Sequence, residues 1–433
     1  MDTQILKQII IENRRLLFER DGIVERDLSE GYDVIIKSKP IIVITGVRRC
    51  GKSTLMSIIA GQLIKRDVEK ENIFYINFES EHFVDFKADD YQKILEAYYE
   101  LHPSVKGRIY LFLDEIQNVP YWEKWLTRLY EDKKYKIFVT GSNASMLSSE
   151  IATALVGRCY RIELFPFNFR EYLRFRKVSL RDEREIHITE VRSKVKSEFN
   201  SYLLAGGFPE IIAERHLHLM HELYQNIVYR DIIVRHGIKN VKAFRDLAYY
   251  LLSNAASLTS YNALKKVYPS LKSVNTVRNY IQYLEDAYLL FTVQIFSASL
   301  KVQMRNPMKI YSIDTGLLNE VSFRISANLS KLYENLVFLN LRRAGKEIYY
   351  YKGRGEVDFI CMDREKVEDI IQVSFDVSDV KTKEREERAM LEALTAFRKK
   401  HGIIITSGYE KRVKINSGVI EYIPLYKWLL GVG

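Results

Sequence analysis

Over the first third of the chain, short apolar runs alternate with longer segments whose apolar positions repeat at helical spacing. The runs Ile41–Thr45, Asn72–Phe78, Arg108–Leu113, Lys136–Thr140 and Cys159–Leu164 predict strands. Strands separated by helices imply an α/β fold with a parallel sheet covered on both faces. Residues 1–35 predict a polar helix and then a charged linker. From Asn168 to about Asn240 the pattern is helical, interrupted at Gly206-Gly207-Phe208-Pro209, a loop signal. Short helices and then apolar strand-like segments occupy Val241 to about Ile310. Further on, a helix over Lys331–Ala344 precedes strands at Glu347–Tyr351, Val357–Cys361 and Ile370–Phe375. A charged helix around Thr382–Lys399 and a strand at Gly402–Thr406 follow. The chain carries no internal repeat and no low-complexity tract.

Composition narrows the class. A length of 433 residues is enough for about three domains. A hydrophobic content of 47% is ample for packed cores and excludes a disordered chain. The first residues do not have the pattern of a secretory signal. The longest apolar stretch, Ala287–Phe296, is too short for a spanning helix and contains Thr292 and Gln294, so no membrane partner is expected. Cys50, Cys159 and Cys361 are scattered and odd in number, which fits a reducing cytoplasm better than a disulfide framework or a zinc site. The net charge of +10 points towards a polyanionic partner. Part of it is concentrated: Lys265, Lys266, Lys272, Arg278, Lys301, Arg305 and Lys309 face only Glu285 and Asp286 between Tyr261 and Ile310.

The most specific chemistry lies in Gly46-Val47-Arg48-Arg49-Cys50-Gly51-Lys52-Ser53, a full G-x-x-x-x-G-K-[ST] loop followed by Thr54 and a helical pattern. An apolar strand enters it and a helix leaves it, the context that a phosphate-binding loop needs. Its glycines let backbone N–H groups close around phosphates, and the helix N-terminus adds partial positive charge. Lys52 is placed to reach the terminal phosphates, and Ser53 to ligate Mg²⁺. The strand Arg108–Leu113 then ends in Asp114-Glu115, two carboxylates at the carboxyl edge of the sheet beside the loop. There Asp114 would hold the Mg²⁺ shell and Glu115 would orient and deprotonate the attacking water. The next strand ends in Gly141-Ser142-Asn143, where Ser142 or, by preference, Asn143 is a candidate contact to the γ-phosphate or the lytic water. Ordinary turn chemistry is the competing reading there. Arg158, after a predicted helix, is a candidate for stabilising transition-state charge on a neighbouring subunit of a homo-oligomer, or a solvated surface arginine.

The strings GVRRCGKSTLM, LFLDEIQNVPYWEKWLTRLYE, FVTGSNASMLSSEIATALVGR and IELFPFNFREYL, extended by GGFPE and YRDIIVRHGI, resemble one prokaryotic family. Its members are AAA+ P-loop ATPases with a winged helix and a restriction-endonuclease-like C-terminal domain. The resemblance covers nearly the whole chain, more tightly in the first 240 residues. It implies binding and hydrolysis of ATP with Mg²⁺ at Gly46, Gly51, Lys52, Ser53, Asp114 and Glu115. The expected organisation is an ATPase domain over 1–167, a helical lid over 168–240, a winged helix over 241–322 and a PD-(D/E)XK nuclease-like α/β domain over 323–433.

In the winged-helix segment, Ser273 or Asn275 is the expected cap of a helix. That helix buries Val277, Tyr280, Ile281 and Leu284 and turns Thr276, Arg278, Asn279 and Gln282 outward. It is a candidate for entering a DNA major groove, with protein packing as the rival use. In the nuclease-like segment, Glu334 and Asp358 match the helix and strand carboxylates that hold a metal in that fold. Gln372 and Ser374 stand where the third acid and the lysine belong, and neither replaces the charge of the group it displaces. Lys352 is a conceivable substitute lysine. The expected function is an ATPase that couples turnover to DNA binding or remodelling. The alternatives are an ATP-dependent regulatory or defence switch and an ATP-gated, metal-dependent nuclease.

Overall fold

A computed structural model of the chain describes every residue except 21, 143–154, 156, 179, 181, 215–217, 322–328, 416–417 and 433. The chain divides into two compact units, Met1–Phe165 and Pro166–Gly433.

In the first unit β1 (Ile41–Thr45), β2 (Ile73–Asn77), β3 (Ile109–Asp114), β4 (Tyr135–Gly141) and β5 (Cys159–Glu163) form one sheet. Its order is β2-β3-β4-β1-β5 and every neighbouring pair is parallel, as the alternation of runs and helices predicts. β4 lies between β3 and β1, so the carboxyl ends of these three strands meet at one edge. Ile41, Val43, Phe74, Ile76, Leu111, Leu113, Ile137 and Val139 join one core with residues of the helices Thr3–Phe18, Asp90–Leu101 and Trp122–Glu131. The alternate residues Ile42, Ile44, Tyr75, Phe112 and Phe138 are also buried, and the rings of Phe112 and Phe138 stack at 4.6 Å. Burial of both phases of the period-two pattern is why these strands read as unbroken apolar runs. Each such side chain contributes on the order of 1.5–3 kcal/mol. The first helix is less polar in effect than its composition suggests, because Leu6, Ile9, Ile10 and Leu17 are buried.

The second unit begins with helices, among them Phe169–Phe175, Thr189–Ala205 and His218–Asn226, and a π-helical stretch at Ile227–Val234. The expected loop at Gly206-Gly207 has a tertiary cause. Gly206 has φ +77°, and a Cβ there would lie 1.8 Å from Asp314 Oδ1. The buried Asp314 carboxylate accepts the N–H groups of Gly207 at 2.6 Å and Gly316 at 2.8 Å. Burial nonetheless pushes its pKa up to about 6.

Next come the helices Val241–Ser253, Tyr261–Val267 and Val274–Asp286 with a three-stranded antiparallel sheet. Its strands β6 (Leu258–Thr259), β7 (Leu290–Val293) and β8 (Met308–Ser312) run in the order β6-β8-β7. Ser273 caps the third helix by accepting the Thr276 N–H at 3.1 Å. Val277, Ile281 and Leu284 are buried there, while Arg278, Asn279 and Gln282 are exposed.

The chain closes with the helix Leu329–Arg343 and a six-stranded mixed sheet in the order β13-β14-β12-β11-β10-β9. These strands are β9 (Glu347–Lys352), β10 (Glu356–Asp363), β11 (Lys366–Val373), β12 (His401–Thr406), β13 (Lys411–Ile415) and β14 (Gly418–Pro424). The helix Val380–Ala396 covers one face through Ala389, Met390, Ala393 and Leu394. β11 stops at Val373, two residues before the end of the apolar pattern. β13 escaped the pattern because it is an edge strand with exposed Lys411, Arg412 and Lys414, polarity that guards an open edge. Among the described residues no helix is long and apolar enough to cross a membrane. All three cysteines are free thiols.

Candidate functional site

The loop from Gly46 to Ser53 joins β1 to the helix Lys52–Ile64. Gly46 is required by a close approach: a Cβ on it would lie 2.1 Å from the Leu164 carbonyl oxygen. Gly51 has φ +101° and heads the helix without any side-chain cap. The N–H groups of the first turn are therefore available to an anion. Val47 and Cys50 are buried, Arg48 reaches Glu79 at 3.2 Å, and Arg49 is exposed. Arg20 donates to the Thr54 hydroxyl at 3.1 Å.

Lys52 is only 6% exposed. Its ammonium donates to the carbonyls of Gly46 at 3.2 Å and Val47 at 3.4 Å and lies 3.2 Å from Glu115 Oε1. Burial alone would lower its pKa, but the Glu115 charge and hydrogen bond outweigh that and raise it.

Asp114 ends β3 at the same edge and is fully buried. It accepts the Tyr75 hydroxyl at 2.8 Å and is hydrogen-bonded by Thr140 and Ser53. Burial pushes its carboxyl above the ordinary value, and the neighbouring Glu115 charge adds to this. The three hydroxyl donors pull it back without cancelling the rise. Glu115 follows in the left-handed region at φ +48°. Its N–H donates to Thr140 Oγ1 at 2.8 Å, and its carboxylate meets Lys52 and the Gln117 amide. Burial pushes the Glu115 carboxyl up, but Lys52, Gln117 and Arg48 leave it below its usual value, so it is ionised at neutral pH.

The structure thus brings Lys52, Ser53, Asp114 and Glu115 together at one sheet edge. These residues fit a polyphosphate with a divalent cation: an uncapped helix start, a buried ammonium, and a hydroxyl already hydrogen-bonded to an acid.

Sequence reading missed three supporting residues. Thr140, the last apolar-run residue of β4, bridges the Asp114 carboxylate and the Glu115 backbone. Tyr75 reaches Asp114 from β2. Arg26, from the presumed linker, donates to the Cys50 carbonyl at 3.0 Å and the Phe165 carbonyl at 2.6 Å, bracing the loop from behind. A polar residue ending an adjacent apolar strand was a visible signal for Thr140. Nothing local marked Arg26.

Asn143 lies outside the described residues. Arg158 is not brought to the loop within the chain. Its carbonyl accepts the Ile41 N–H at 2.8 Å, which puts it at the amino edge of the parallel sheet, opposite Asp114. Its 37% exposed side chain pairs with Glu131 at 3.6 Å and covers the Tyr130 ring.

Glu334 and Asp358 do meet, but around one of the seven basic residues counted between Tyr261 and Ile310. Lys309, on β8, lies 3.1 Å from Glu334 Oε1, 2.7 Å from Asp358 Oδ1 and 3.0 Å from Glu356 Oε1. Burial would lower its pKa, yet these acids hold it well above the ordinary value. Glu334, buried beside Asp358, is pushed up to about 7. Gln372 spends its amide on the Asp358 N–H and on Glu386, at 2.9 and 2.8 Å. Lys352 stays half-exposed at the rim, 3.7 Å from Glu356. Among the described residues no group of three or more His, Cys, Asp or Glu is arranged to hold a metal ion. Glu334 and Asp358, the expected metal pair, are thus brought together with the Lys309 ammonium between them.

Residues 38–173 match a sequence family described as an AAA domain, and residues 196–329 match a domain of unknown function. An uncharacterized protein of Methanocaldococcus jannaschii is 33% identical over 458 aligned residues, covering 99% of each chain. A Haemophilus influenzae protein is 31% identical, covering 90% of this chain and 94% of that one. Among solved structures, the Aeropyrum pernix ORC1 protein in complex with DNA is similar at 12% identity and a TM-score of 0.30, covering 71% of this chain and 96% of that one.

Proposed function

We propose that this chain, which belongs to one family with its Methanocaldococcus and Haemophilus relatives and whose residues 38–173 match an AAA domain, binds ATP with Mg²⁺ and hydrolyses it at the loop Gly46–Ser53. The observation that carries the proposal is the buried Lys52–Glu115 pair at 3.2 Å, beside Asp114 and an uncapped helix start. The open N–H groups and Lys52 bind the phosphates. Ser53 and Asp114 would hold Mg²⁺, which would neutralise the charge that develops on the phosphates. Glu115 takes the proton of the attacking water as its oxygen bonds to the γ-phosphorus and the bond to the β-phosphate oxygen breaks, leaving ADP and phosphate. An ionised Glu115 is ready to act as that base at neutral pH.

Thr140 is a positioning residue in this scheme. In Thr140→Val, kcat is expected to fall about tenfold while ATP affinity changes less, because the hydroxyl bonds the Glu115 N–H and the Asp114 carboxylate and not the phosphates. Thr140→Ser should restore turnover. Steady-state phosphate release beside equilibrium ATP binding measures the split, and an unaltered kcat in Thr140→Val removes the role.

The load of the machine is proposed to be DNA, in the cytoplasm. Three helices with β6 between the first two and β7 and β8 after the third support a winged-helix reading of this segment. Arg278, Asn279 and Gln282 are exposed on its third helix, and Lys266, Lys272, Lys301 and Arg305 are exposed nearby. Lys309 drops out of that basic surface because it is buried in an ion cluster. The remaining charge suits phosphate attraction, which dominates non-specific DNA affinity. Saturating duplex or single-stranded DNA is expected to raise ATP turnover roughly fivefold or more, with binding that weakens as salt rises. Unchanged turnover together with no salt-sensitive binding rejects the DNA load and leaves ATP-dependent switching as the reading to pursue.

A further inference from the structure

We infer that the Lys309 ammonium is a built-in cation of the C-terminal sheet, occupying the place between Glu334, Glu356 and Asp358 where a divalent metal would sit. The six-stranded sheet then works without metal.

The match of donors to acceptors carries this inference. An ammonium has three N–H groups and no other polar capacity. Here it faces three carboxylates at 2.7–3.1 Å, from the helix Leu329–Arg343 and from β10. The Lys309 side chain is 3% exposed, so it does not swing in and out of water like a surface lysine. Its position is set from both ends. Tyr311, two residues along β8 and so on the same face, donates its hydroxyl to Glu334 Oε1 at 2.7 Å. The backbone of Ser312 and the side chain of Asn335 exchange hydrogen bonds at 2.8 and 3.0 Å, clamping β8 to the helix that carries Glu334.

The acceptors are committed as well. Asp358 gives one oxygen to Lys309 and the other to the Val373 N–H at 2.9 Å. The Gln372 side-chain carbonyl, the neutral oxygen nearest in kind to the missing acid, accepts the Asp358 N–H. A magnesium or calcium ion must bring its carboxylate oxygens to roughly 2.0–2.6 Å, and the ammonium already sits 2.7–3.1 Å from all three acids in that space. Removing one partner from such a buried cluster leaves charge uncompensated, which creates demand for another cation.

The test is Mn²⁺ binding to the full chain without nucleotide, read as the loss of free-ion signal in electron paramagnetic resonance. The wild type and Glu356→Gln are expected to bind Mn²⁺ alike. Lys309→Met is expected to gain a site at least about tenfold tighter than any in the wild type, and Lys309→Met with Glu356→Gln to lose that gain. Wild-type Mn²⁺ binding that disappears in Glu356→Gln overturns the inference, as does a folded Lys309→Met with no gain. Should Lys309→Met not fold, the wild type against Glu356→Gln still decides, because Glu356 is 34% exposed and lies at the cluster's rim.

Discussion

Glu115→Gln is expected to stop ATP turnover while ATP still binds. The side chain keeps its size, so the Gln117 contact and the Glu115 N–H bond to Thr140 survive. What is lost is a carboxylate held below its ordinary pKa by Lys52, and with it the acceptor for the water proton. A positioned general base is worth about 10²–10⁴ in rate, so kcat should fall by roughly that factor. Affinity should hold or rise, because Lys52 no longer shares its charge with Glu115 at 3.2 Å. Phosphate release under saturating ATP, beside calorimetric ATP binding, separates the two effects. Turnover within tenfold of the wild type places the base on another residue.

Lys52→Ala is the complementary loss. The ammonium is buried, paired with one carboxylate and bonded to two loop carbonyls, so its charge is concentrated at the mouth of the helix. Hydrogen bonds to charged groups are worth about 1.5–3 kcal/mol each, so ATP affinity should drop roughly 10- to 150-fold. Lys52→Met controls for volume and should weaken binding to a similar degree. Isothermal titration with ATP and Mg²⁺ provides the measurement, and thermal unfolding checks that the loop helix persists. Unchanged affinity in a folded variant removes Lys52 from the phosphate site.

The two variants probe one ion pair from opposite sides. Removing the acid leaves a cation that favours phosphate; removing the cation leaves an acid that repels it. Opposite movements of ATP affinity in Glu115→Gln and Lys52→Ala are thus a signature of this geometry.

The loop, the strand that feeds it and the Asp114-Glu115 pair were legible because their spacing along the chain is also their geometry. A glycine-rich turn between strand and helix, and acids ending a neighbouring strand, need no knowledge of distant contacts. The parallel sheet was legible for a similar reason, since unbroken apolar runs require burial on both faces. Thr140 was only half visible: the polar end of its strand could be seen, but not that strand order sets β4 between β3 and β1. The partners of Lys309 were not legible. Among basic neighbours it counts as surface charge, and only the folded chain puts it against acids 25 and 49 residues away.

By itself, then, the sequence determined the G-x-x-x-x-G-K-S loop between strand and helix and the α/β character of the sheet that presents it, because both depend on local spacing and strand periodicity. The tertiary structure alone decided which distant side chains complete that site, Arg26, Tyr75 and Thr140 among them. It also decided that Glu334 and Asp358 close on a lysine. Those outcomes depend on packing between segments remote in the chain, where burial strengthens each charge contact and the identity of the partner sets its meaning.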